Sequence, residues 1–198
     1  MTGSATRKPH LVGGDKGRNI KTDLFLVAWE PALWAGSFKS KEKVMSEYTI
    51  KRTFHTGFCV GDIDWTIGFF QQVLGFKLID KAPRDSRNQS FITGVPGAQV
   101  MIAYMDCAGH SLELQEYSGP ADRQEYRPRM VDMGHFHLSF VVDDVDAVVT
   151  ACKKYDNRIR TLSPHPMLVD QGPNKGNKIQ FVVLPDGVHI EFTTRVNG

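Results

Sequence analysis

The chain has 198 residues, 41% hydrophobic and 23% charged, the balance of a soluble folded protein with one ordinary core or two small modules sharing one. Its formal charge is +2, but residues 1–44 hold eight Lys/Arg against four Asp/Glu. The remainder has sixteen against eighteen, so the main body is not composed as a nucleic-acid-binding surface. No stretch reaches the roughly 18–20 apolar residues of a membrane span, and Leu24 to Ala35, the nearest approach, is broken by Glu30 and Pro31. That segment also lies too far along the chain, and lacks the flanking cleavage signal, to read as a secretory leader. Cys59, Cys107 and Cys152 are odd in number and form no metal-binding pair, which implies reduced thiols and a cytoplasmic protein.

Residues 1–51 read as an N-terminal extension. Met1 to Lys21 is rich in Gly, Lys, Arg and Ser and is expected to be disordered, whereas Phe25, Trp29, Leu33 and Trp34 could dock on the body as a short amphipathic segment. Met45, just before the first regular strand, is an equally good candidate start. From residue 52 the patterning becomes regular. Thr53 to Val60 alternates as a strand does. Trp65, Ile67, Phe69, Phe70, Val73 and Leu74 then recur at helical spacing behind Asp62 and Asp64, either of which suits an N-cap, and Gly75 suits the end of the helix. Strand-like runs follow at Phe76 to Asp80, Ala98 to Tyr104 and Ser111 to Tyr117, giving β-α-β-β-β over residues 52–118. A polar linker, 119–133, holds Pro120 and Pro128.

The same order recurs in 134–198. Phe136 to Val142 reads as a strand, and Asp144 and Asp146 precede a helix carrying Val145, Val148, Val149 and Cys152. Strands are expected at Arg160 to Ser163, Ile179 to Leu184 and Val188 to Thr194, with Pro185-Asp186-Gly187 as the last turn. Shifted by 82 positions, residues 54–64 match 136–146 at six of eleven places, and Leu112-Glu113-Leu114 falls on Ile190-Glu191-Phe192 at an offset of 78. This is an internal duplication. Each copy carries one histidine on its first strand, His55 or His137, and one glutamate on its last, Glu113 or Glu191. A lone His or Glu is usually an ordinary surface or hydrogen-bonded residue, but a pair recurring at matching places in a duplicated module points to metal ligation. Two imidazoles and two carboxylates would suit one divalent ion, Ni, Zn, Co, Fe or Mn, with positions left for water or two substrate oxygens.

The His-x-x-Phe-x-Val-x-Asp-x-Asp strand and cap, the Leu74-Gly75-Phe76 after the first helix, the Leu-Glu-Leu strand and the Pro185-Asp186-Gly187-x-x-Ile190-Glu191-Phe192 ending resemble the vicinal oxygen chelate superfamily. That group includes glyoxalase I, methylmalonyl-CoA epimerase, extradiol dioxygenases, and fosfomycin and bleomycin resistance proteins. The resemblance spans residues 52–196. It implies an α+β fold of two tandem βαβββ modules forming a cupped, eight-stranded incomplete barrel. It also implies metal ligands at His55, Glu113, His137 and Glu191, and a homodimer acting on a small-molecule substrate, with no nucleic acid or membrane partner. The four-ligand set favours a lyase or isomerase of glyoxalase or epimerase type working through an enediolate. By the same resemblance the proton is taken by a ligand carboxylate that loosens from the metal, Glu191 first and Glu113 second.

Two other readings stay open from the sequence. An Fe(II)/Mn(II) dioxygenase would consume oxygen, and a metal-free binding or resistance protein would keep its ligand affinity in Glu113→Gln. Glutathione-binding features of glyoxalase I and the Pro-Lys-Ser-type loop of the CoA epimerase are not recognisable, so the substrate is open. Arg84, Arg87, Asn88, Lys175 and Lys178 are candidates for a substrate carboxylate, though such residues are usually solvated. His135 and His189 share faces with His137 and Glu191 and could line the cavity or, for His135, compete as ligand. His110 and His165 read as surface residues.

Overall fold

The computed structural model describes residues 48–195, so the expected disorder and docking of the N-terminal extension, and Met45, lie outside the described residues. Strand β1 (Thr56–Cys59) leads to helix α1 (Ile63–Gln72), then to β2 (Lys77–Pro83), helix α2 (Ser86–Thr93), β3 (Gln99–Cys107) and β4 (His110–Gly119). The second half runs β5 (Leu138–Val141), helix α3 (Val145–Tyr155), β6 (Arg160–Thr161), β7 (Met167–Leu168), β8 (Lys178–Val183) and β9 (His189–Thr193). The strands form two sheets, β1-β4-β3-β2 and β5-β9-β8-β6, with β7 also paired to β8. The fold is thus mixed α+β. Among the described residues the strands do not join into one eight-stranded sheet, and the second sheet has five strands because Met167–Leu168 pairs against Ile179 and Lys178. None of the helices among the described residues is long and apolar enough to cross a membrane.

Local chemistry explains the helices. The Asp62 carboxylate, rather than that of Asp64, accepts from the Trp65 N–H at 2.9 Å and caps α1. The helix closes where Gly75, at φ +72°, lets the Phe76 N–H reach back to the Phe70 carbonyl at 2.9 Å. Asp144 caps α3 the same way, accepting from Asp146 and Ala147. Helix α2, which carries Arg87 and Asn88, is not among the elements the sequence predicts. Asp85 caps it and Gly94 ends it, but it buries none of its residues, and Phe91 and Ile92 are exposed, so no apolar stripe betrays it.

Alternation decides which side chains meet. On β4, Leu112 and Leu114 are fully buried and flank Glu113; on β9, Ile190 and Phe192 flank Glu191 in the same way. The apolar sides of both sheets, with α1 and α3, share one core that includes Phe58, Ile63, Phe69, Phe70, Val145 and Cys152. Cys59, Cys107 and Cys152 are unpaired, and burial pushes the Cys152 thiol up to about 12. Phe54 is exposed and lies next to the His55 ring, 4.8 Å between centroids.

A polar latch joins the two halves at the helix ends. The Trp65 indole donates to Asp156 at 3.0 Å, and the Tyr155 hydroxyl donates to the Trp65 carbonyl at 3.0 Å. Arg158, through its guanidinium (2.6 Å) and its N–H (2.8 Å), holds the Asp156 carboxyl down to about 2, with the Trp65 indole helping. A depressed carboxyl stabilises the fold fully above its ordinary 3.8, and that stabilisation is lost as pH falls through about 2. Asp156→Asn should therefore cost about 1–3 kcal/mol near neutrality. In denaturant unfolding followed at a series of pH values, the gap to the parent protein should close between pH 3.8 and about 2. A gap that does not change with pH would show that Asp156 is not the titrating latch.

Candidate functional site

His55 and His137 stand one residue before the edge strands β1 and β5, and Glu113 and Glu191 sit on the central strands β4 and β9 beside them. The parallel registers match: Gly57 lies opposite Glu113, and Ser139 opposite Glu191. Each histidine is thus two residues ahead of the position facing its glutamate. The result is two equivalent contacts, His55 Nε2 to Glu113 Oε2 at 3.0 Å and His137 Nε2 to Glu191 Oε2 at 3.0 Å. The first pair is deeper, its side chains 25% and 10% exposed against 34% and 17% in the second.

The structure brings the four residues together as two pairs. Among the described residues no three His, Cys, Asp or Glu gather as one metal-holding group. The glutamates project from the sheet faces opposite their buried leucine, isoleucine and phenylalanine neighbours, hence away from the shared core. Gly57 leaves room for the carboxylate: a Cβ there would lie 3.1 Å from Glu113 Oε2 and press on it.

Around Glu113 the site is further built. The Tyr104 hydroxyl donates to Oε1 at 2.7 Å, and Gln115 Nε2 donates to Oε2 at 2.9 Å. Tyr104 stands directly across from Glu113 in the β3–β4 register, and its ring lies 5.7 Å from that of His55. The hydrogen bond to Glu113, then burial, holds the Tyr104 phenol above its ordinary 10 and keeps it a donor. His55 Nδ1 is buried without a partner, so Glu113 supplies the ring's polar contact. Sequence reasoning missed Tyr104 and Gln115. Alternation along the expected strand would have put Gln115 on the Glu113 face, whereas Tyr104 is placed there by the β3–β4 register.

His137, not His135, touches Glu191. His135 stacks on His137 at 5.8 Å and meets the buried His189 edge-on at 4.8 Å, with its own Nε2 buried and unpartnered. Burial chiefly, then the charge of His135, lowers the His189 pKa. His189 also lines a cavity of about 1000 Å3 shared with Cys59, Gln115, Tyr117, Arg123 and Phe136, which runs beside the pairs without including any of the four residues. Arg84 bonds Asp80 at 3.0 Å and lies 6.0 Å from the Tyr104 ring, near the first pair. Arg87, Asn88 and Lys175 are exposed, and Lys178 is engaged by Asp146 at 3.0 Å. His165 is exposed as expected, but His110 begins β4, half-buried, with its Nε2 3.1 Å from the Thr56 hydroxyl.

Chemically, an imidazole nitrogen and a carboxylate oxygen at 3.0 Å can share a proton or donate jointly to a cation. The sequence profile described as Glyoxalase/Bleomycin resistance protein/Dioxygenase superfamily matches residues 52–192. A 2-epi-5-epi-valiolone epimerase from an Actinomyces species is 28% identical over 143 residues, covering 70% of this chain and 76% of that protein. A lactoylglutathione lyase from Haemophilus influenzae is 29% identical over 140 residues, 70% of this chain and 88% of that one. The crystal structure of a glyoxalase family protein from Bacillus cereus superposes with a TM-score of 0.64 over 76% of this chain and 97% of that one, at 22% identity, a likeness of fold.

In Glu113→Gln the Tyr104 phenol loses its charged acceptor and should titrate lower, toward its ordinary 10. Tyrosinate absorbance against pH, with Tyr104→Phe identifying the signal, reads this shift. An unmoved titration would mean the Tyr104–Glu113 bond does not form in solution.

Proposed function

The chain belongs to the glyoxalase/bleomycin resistance protein/dioxygenase superfamily, and on that premise we propose a divalent-metal-dependent lyase or isomerase that moves a carbon-bound proton through an enediolate. Its relatives named as an epimerase and as a lactoylglutathione lyase support this reaction class. The observation that carries the reading is the repeated His–Glu contact, His55–Glu113 and His137–Glu191, each at 3.0 Å and at matching register in a duplicated module.

The donor chemistry fits a borderline divalent ion, one imidazole nitrogen and one carboxylate oxygen from each pair. The unpartnered buried Nδ1 of His55 agrees with a site completed by something beyond the chain's own hydrogen bonds. When bound, such an ion supplies Lewis acidity to two neighbouring substrate oxygens and makes the adjacent C–H acidic. His55, Glu113, His137 and Glu191 would hold it. In an isomerase Glu191 receives the proton and returns it to the neighbouring carbon; in an epimerase Glu191 removes the proton and Glu113, the second carboxylate, delivers one to the opposite face of the same carbon.

Four ligands that come as two separate pairs make one centre if a second copy supplies the missing pair. Support for this homodimer lies in the placement of both histidines beside edge strands, β1 and β5, each with one side free of sheet partners among the described residues. His55 and Glu113 of one copy would then face His137 and Glu191 of the other, completing the cupped arrangement between chains.

Elemental analysis of the purified protein should find about one divalent ion per chain, as two-fold symmetry with two shared centres requires. Both His55→Ala and His137→Ala should lose it. Each alone should fail to exchange the α-proton of a hemithioacetal probe with deuterated solvent. Mixed and allowed to exchange subunits, the two should recover about a quarter of the parent activity, because heterodimers restore one intact centre in two. Metal retained in both variants would sink the assignment of the ligands, whereas metal loss without recovery on mixing would sink only the shared centre.

A further inference from the structure

The two pairs are equivalent by position and unequal in support. Three groups converge on Glu113: His55 Nε2 at 3.0 Å, the Tyr104 hydroxyl at 2.7 Å and Gln115 Nε2 at 2.9 Å. Glu191 has the His137 contact at 3.0 Å and, among the described residues, no other hydrogen-bond donor recorded to its side chain. The registers show what differs. Tyr104 is the residue across from Glu113, and Phe181 is the residue across from Glu191. Both rings pack against the histidine of their own pair, 5.7 Å for Tyr104 on His55 and 5.1 Å for Phe181 on His137. Phe181 therefore fills the place of Tyr104 without its hydroxyl. The counterpart of Gln115, two residues after the glutamate, is Thr193, whose hydroxyl turns to the Thr194 carbonyl at 3.0 Å.

Hydrogen bonds to an ionised carboxylate are the strong ones, and groups that hold a metal-ligating carboxylate set its orientation and its hold on the ion. We propose that Tyr104 and Gln115 are positioning residues that fix the Glu113 carboxylate, leaving Glu191 as the carboxylate free to detach and carry the proton. The proposal rests on the metal-dependent reading above and adds to it a division of labour between two glutamates that the duplication would otherwise make interchangeable. Only the proton moves to Glu191; the C–H electron pair stays with the substrate as its enediolate.

Co(II) titration of the full-length protein, with chelator competition and the visible spectrum of the bound ion, tests this without a substrate. Tyr104→Phe, which deletes one oxygen, should weaken Co(II) binding by about tenfold or more and alter the spectrum, as loss of a carboxylate's supporting bond does. Phe181→Tyr should do the reverse: by its matched register and ring packing the new hydroxyl reaches Glu191, and Co(II) should bind tighter. A merely structural role for these rings would not produce a gain of affinity. Parent-like affinity and spectrum in Tyr104→Phe overturns the proposal, as does unchanged or weaker binding in a Phe181→Tyr protein that melts normally. If Phe181→Tyr does not fold, Tyr104→Phe decides alone. A parent protein that binds no Co(II) overturns the metal-dependent reading itself, and this proposal with it.

Discussion

Leu112, Glu113 and Leu114 are consecutive residues of one strand, and the pleat sends the leucines into the core and the glutamate out of the opposite face. Ile190, Glu191 and Phe192 repeat the arrangement on β9. Burial of the flanking apolar residues, roughly 1.5–3 kcal/mol for each large side chain, locks the register of both central strands. A slip of one residue would carry a carboxylate into the core, at a cost the fold could not absorb. The placement of each glutamate beside its histidine is thus held by the same apolar contacts that stabilise the two sheets.

Those contacts also determine what one chain can and cannot do. Both sheets put their apolar sides into one core together with α1 and α3, and the Trp65, Tyr155, Asp156 and Arg158 latch ties the helix ends. The chemistry-bearing faces therefore point outward. A chain arranged this way carries two separate His–Glu pairs, and the proposed dimer rests on that arrangement together with the positions of β1 and β5 at the sheet edges among the described residues.

Much of this was legible in the sequence because duplication writes every strong signal twice. Helices α1 and α3, an aspartate cap before each (narrowed by the structure to Asp62 and Asp144) and the placing of one histidine and one glutamate in each copy follow from period and offset. What stayed hidden depends on contacts between elements that no local pattern records. Helix α2 carries no buried face, so its caps at Asp85 and Gly94 were the only trace. Tyr104 reads as one more aromatic in a strand until the antiparallel register sets it opposite Glu113. The separation of the four residues into two pairs was illegible, because strand patterns locate a side chain on a sheet but not one sheet against another.

The exchange of Tyr104 for Phe181 reaches beyond the glutamates. One half-site presents a hydroxyl, an amide and the nearby Arg84 guanidinium. The other presents the bare ring of Phe181 and, on the same strand face, Ile179. A molecule laid across both would find a wall that welcomes its oxygens and a wall that sheds water. In the proposed shared centre, turning such a molecule end for end would strand its polar groups against hydrocarbon, so two copies of one ancestral module would together tell one end of an unsymmetrical substrate from the other.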